Sequence, residues 1–215
     1  MRRFMTLPIA GLFALAVAGP AAAGANVGNY SSSATIVQAS WEAFDDATQA
    51  YSYGYVAVTQ EQGSSEAYAE YNEYSEQFVQ CTGADTPDDP DDDTFGIVGT
   101  NVWGYGDASL SVGRNFSSAT ASGTIAVARE GFNECTGEWT YEELPELTFN
   151  LDLTATSATV KESGRGSFHL PGEFNDHYSY KSTYRFGEGT LSGLDGLQSV
   201  SGQIGKVSWS EHTNG

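Results

Sequence analysis

The stretch Leu147-Thr148-Phe149-Asn150-Leu151-Asp152-Leu153-Thr154 alternates apolar and polar side chains without a break. Successive side chains of an extended chain point to opposite faces, so a period of two predicts a strand with one dry and one wet side. Tyr51, Tyr53, Tyr55 and Ala57 alternate with Ser52, Gly54, Val56 and Val58 in the same way. Further strands are predicted at 34–44, 95–103, 108–112, 119–129, 157–162, 167–170 and 177–186. Segments 190–194 and 197–204 flank Asp195-Gly196, a two-residue hairpin signal. Gly-, Ser- and Asn-rich clusters at 60–64, 163–166 and 187–189 read as turns. Segment 66–79 carries two patterns: Ala67, Tyr71, Tyr74 and Phe78 fall at helical spacing, whereas its aromatic content favours a strand, as do its neighbours. Many short strands predict an all-β antiparallel sandwich, with a closed or partly open β-barrel as the alternative. Leu147, Phe149, Leu151, Leu153, Ile125, Val127, Ile97 and Trp209 are the expected buried side chains.

Arg2 and Arg3, the apolar run 7–19, Pro20 and Ala21-Ala22-Ala23 have the three parts of a secretory signal peptide. The apolar run is shorter than the roughly 20 residues that span a bilayer, so no membrane anchor is expected to remain. Residues 1–23 are read as the leader and 24–215 as a single acidic β-rich domain, secreted or periplasmic. Loss of the leader leaves seven basic residues against 28 acidic ones, a formal charge of −21. Residues 24–113 contain 15 acids and no Lys or Arg. Such a surface repels nucleic-acid phosphates and anionic headgroups, because Lys and Arg carry affinity for both. It suits a cation, a basic macromolecule, or salty surroundings that screen self-repulsion. Cys81 and Cys135 are the only cysteines, and in an exported chain they are expected to form a disulfide.

Three groups are candidates for chemistry. Asp88, Asp89, Asp91, Asp92 and Asp93, with Asp85 just before them and Pro87 and Pro90 between, could supply oxygens to calcium. Their spacing lacks the turn glycine and distal Glu of an EF-hand, so a hydrated loop is the competing reading. Trp103 and Tyr105, beside Gly104 and Gly106, are candidate ring platforms for a glycan. His177, Tyr178, Tyr180 and Arg185 are the residues that an elimination chemistry would use, with His as base, Tyr as acid and Arg as carboxylate clamp. No GxSxG elbow, HExxH pair or phosphate-cradling loop is present. The expectation is therefore an exported, non-catalytic binding or surface-associated protein for a glycan, a cation or a basic macromolecule. A secreted polysaccharide lyase or hydrolase is the alternative, and a structural matrix protein the third reading.

Overall fold

The computed structural model describes residues 28–81, 94–170, 174–193 and 196–214. The expected leader at 1–23 and the acidic candidates Asp88, Asp89, Asp91, Asp92 and Asp93 lie outside the described residues. The described residues are all-β, in ten antiparallel strands: β1 (Gly28–Asp45), β2 (Ala50–Glu61), β3 (Ala67–Cys81), β4 (Thr94–Val112), β5 (Ser118–Asn133), β6 (Glu138–Glu143), β7 (Leu147–Ala155), β8 (Val160–Leu170), β9 (Phe174–Ser192) and β10 (Leu197–Asn214).

Strands β1 to β5 bond in sequence order, β5 bonds to β7, β7 to β9, β9 to β10 and β10 to β1, so the hydrogen bonding runs through β1, β2, β3, β4, β5, β7, β9 and β10 and back to β1. β6 and β8 lie outside this ring. β6 covers residues 128–133 of β5, which β7 leaves unpaired, and β8 pairs with the first part of β9, where β7 does not reach. The register is staggered. One circuit runs from Thr148 through Thr124, Asp107, Tyr68, Thr59, Ile36, Gly205 and Tyr184 and comes back at Val160, further along the same β7–β8 segment. A twisted sheet closes on itself only with such tilt and offset.

The ring encloses the core. Phe149, Leu151 and Leu153 are buried together with Val37, Val56, Val58, Ile125, Leu191 and Ile204, while Thr148, Asn150, Asp152 and Thr154 of the same strand are exposed. Burying a large aliphatic or aromatic side chain is worth about 1.5–3 kcal/mol, so these inward rows hold the ring together. Leu147 packs partly buried at the end of the row. Ile97 and Trp209 depart from expectation. Both are half-buried on the outward face, because in β4 and β10 the inward positions are the alternate ones, such as Val102 and Ile204.

Segment 66–79 belongs to strand β3, in which Ala67 and Tyr71 point inward and Tyr74 and Phe78 outward. Its helical spacing is a coincidence of two faces read as one. The glycine-containing clusters at 163–166 and 187–189 are not turns but lie inside β8 and β9. Cys81 and Cys135 form the disulfide, with Cα atoms 5.1 Å apart. It ties the end of β3 to the turn after β5 across the intervening β4. Gly96 of β4 makes room for it: a Cβ there would sit 3.1 Å from both sulfurs.

Candidate functional site

β9 carries the candidate catalytic residues, and strand alternation divides them. His177 and Arg185 are on the face continuous with the core, whereas Tyr178 and Tyr180 are on the other. The Tyr178 ring stacks on Trp209 at 5.2 Å and 8°. Arg185 is engaged elsewhere, its Nε donating to the Ser157 carbonyl at 2.8 Å. The strand therefore does not gather these four side chains round one point.

Trp103 and Tyr105 are neighbours on the outward face of β4, with ring centroids 6.4 Å apart. Their planes meet at 63°, edge towards face, so they do not form a flat surface. A flatter one lies nearby. Cross-strand pairing sets Tyr53 beside Tyr74, Asn101, Glu130 and Tyr141, and the next row sets Tyr51 beside Glu76, Gly99, Phe132 and Trp139. Tyr74 and Phe132 stack at 6.4 Å and 19°, and Phe132 meets Trp139 at 5.6 Å and 31°. Three rings from three strands thus form a shallow arc. Gly99 lies beneath it, where a Cβ would come within 2.6 Å of Phe132 Cζ.

A hollow of about 320 Å³ lies along this arc, lined by Tyr74, Ile97, Phe132, Glu134 and Trp139. Trp139 is 74% exposed, and Phe78 and Phe95, stacked on each other at 5.3 Å, are 58% and 56% exposed. Exposed aromatic surface costs hydration free energy, which makes this patch a candidate contact surface. Carboxylates rim it. The Ile97 N–H donates to Glu134 at 2.9 Å, and the Tyr74 hydroxyl donates to Glu76 at 2.6 Å. The Glu76 hydrogen bond, followed by burial and the charges of Glu76 and Glu134, pushes the Tyr74 hydroxyl up to about 12. Tyr55 donates to Glu70, and its hydroxyl is raised too, by burial first and by that hydrogen bond second. Both phenols are therefore fixed donors at neutral pH.

Sequence reading did not find Phe132 and Trp139. Trp139 and Tyr141 do alternate with Glu138, Thr140 and Glu142, which is a strand signal, but only the pairing of β6 with β5 brings Trp139 opposite Phe132. Among the described residues no group of three or more His, Cys, Asp or Glu is placed to hold a metal ion.

No protein-family model matches the chain, and no curated protein matches it in sequence. Among solved structures the chain is similar to that of Neisserial surface protein A (NspA), at 9% identity over 85% of this chain and 97% of that one, with a TM-score of 0.25. A likeness this slight carries no functional argument.

Proposed function

We propose that this chain is an exported, non-catalytic protein that binds glycan through the outward aromatic face of β3, β5 and β6. The observation that carries the reading is the arc of Tyr74, Phe132 and Trp139, open to solvent along a hollow of about 320 Å³. Pyranose rings present an apolar C–H face that lies against an aromatic ring, while their hydroxyls need hydrogen-bond partners at the edge. Tyr and Trp meet both needs, having an apolar body and a polar tip. Glu76 and Glu134 at the rim disfavour acidic sugars by like-charge repulsion and favour neutral or amino sugars. The division of His177 and Arg185 from Tyr178 and Tyr180 supports binding over catalysis.

The disulfide fits an oxidising compartment outside the cytoplasm. The outward face of β7, with Thr148, Asn150, Asp152 and Thr154, is polar and suits contact with water along that strand.

The test is a glycan array probed with the processed chain, followed by calorimetry on the best neutral or amino-sugar hit. Trp139→Ala is expected to weaken that hit tenfold or more, a loss of about 1.4 kcal/mol, with the far-UV circular dichroism unchanged. An array without hits, or Trp139→Ala binding like the parent, overturns the reading.

A further inference from the structure

The ring closes only over part of the strands. Beyond it, the first residues of β1 and β9 and the last of β8 and β10 continue as a four-stranded sheet in the order β1, β10, β9, β8. Its inner face continues the core side, since Val37 and Ile204 lead directly into it. The register arranges that face in four rows. These are Thr35–Lys206–Thr183–Lys161, Ser33–Ser208–Lys181–Ser163, Ser31–Ser210–Ser179–Arg165 and Asn29–His212–His177–Ser167.

The composition of these rows is unlike that of the rest of the molecule. They contain four of the chain's nine Lys and Arg residues, and no Asp or Glu, although the chain has 28 acids. Glu162 and Glu211, the acids inside the same strand stretches, fall in the alternate rows on the opposite face, with Tyr178 and Tyr180. Among the described residues no carboxylate pairs with any of these four cations; the ion pair present is Arg129–Glu142, elsewhere. The serines are linked across strands, Ser33 to Ser208 at 3.1 Å and Ser179 to Ser210 at 2.8 Å, and His212 bonds to Asn29. Lys206 Nζ donates to Gln62 Oε1 at 3.1 Å, so the β2–β3 turn walls one side.

The face is hollow. One depression of about 640 Å³ is lined by Arg165, His177 and His212, with Glu211 also at its lining, and another of about 760 Å³ by Lys181 and Gln62, with Glu61 beside Gln62. They adjoin through Ser31, Ser179 and Ser210, which line both.

We infer that this groove binds an anionic saccharide, a sugar chain bearing carboxylate or sulfate groups. The cations supply charge-assisted donors for the acid groups, and the paired serine hydroxyls, each able both to donate and to accept, match sugar hydroxyls. Successive rows lie two residues apart, roughly 6.6–6.8 Å, so the four rows offer an extended site rather than a point. A nucleic acid has the charge but not the fit, because its dense phosphates would meet the acidic remainder of the molecule. The site is distinct from the aromatic arc and takes ligands of opposite character.

Calorimetry on the processed chain tests it with three probes: tetragalacturonate, its methyl ester, and a sulfated oligosaccharide of the same length. The acid form is expected to bind, the methyl ester at least tenfold more weakly, and affinity should fall between 20 and 200 mM NaCl. Arg165→Gln and Lys181→Gln should each weaken binding fivefold or more. Trp139→Ala in the arc should leave it unchanged, which separates this site from the proposed glycan surface. Tighter binding of the sulfated probe with the same sensitivity supports the groove and assigns the anion as sulfate. The inference is overturned if neither anionic probe binds, if the ester binds equally, if inorganic sulfate alone binds as tightly as the oligomers, or if the Arg165 and Lys181 variants match the parent.

Discussion

Tyr74 links the proposed binding surface to the stability of the fold. Its hydroxyl donates to Glu76 while its ring stacks on Phe132, so ionising the phenol places a second negative charge beside a carboxylate. The group is held up to about 12 in the folded chain, above its ordinary value near 10. Between those values the unfolded chain has lost the proton and the folded chain retains it. Stability from this group is therefore complete below pH 10 and is lost as pH rises through 12. Tyr184, raised by burial and then by its bond to Glu162, contributes in the same direction. A tyrosinate absorbance titration should show a late-ionising set, and the melting midpoint should fall between pH 10 and 12. Tyr74→Phe should make that fall shallower. A fall of equal steepness in the variant would show that Tyr74 contributes nothing to it.

At the scale of elements, the disulfide does what β4 alone cannot. Cys81 and Cys135 join the ends of β3 and β5 on either side of β4 and close a sequence separation of 54 residues. A cross-link of that length restricts the unfolded chain by about 4 kcal/mol in the loop-entropy account. Cys81→Ser with Cys135→Ser should lose up to that amount in denaturant unfolding while keeping the strand content. Loss below about 1 kcal/mol would mean that β3, β4 and β5 are already held by their pairing. The alternation that identifies β7 is legible because Leu147 to Leu153 are apolar on every inward step. It fails in β8 and β9, where Ser163–Gly166 and Gly187–Gly189 look like turns. There, glycine lies under rings and backbones of neighbouring strands: Gly164 and Gly166 carry the rings of Tyr180 and Tyr178, and Gly189 approaches the Asp152 carbonyl. Glycine used for close approach and glycine used for turning are the same letter.

For the whole molecule, charge is the dominant long-range quantity. The formal charge is −19, and residues 24–113 carry acids without a basic residue. Self-repulsion of that size opposes compaction. The Debye length shrinks from about 30 Å at 0.01 M salt to about 3 Å at 1 M, so the melting midpoint should rise with NaCl over that range. A flat or falling midpoint would show that the acids are already neutralised within the fold. The sequence by itself determined that the chain is built of antiparallel strands and that its two cysteines are available to pair, because strand alternation is a local, two-residue property of the backbone. Only the tertiary structure decided that the strands close in a ring, that Tyr74, Phe132 and Trp139 meet, and that Lys206, Lys181 and Arg165 share one set of cross-strand rows without Asp or Glu. Those facts depend on register between strands far apart in sequence. A shift of one residue in any pair would turn every side chain of that strand to the other face.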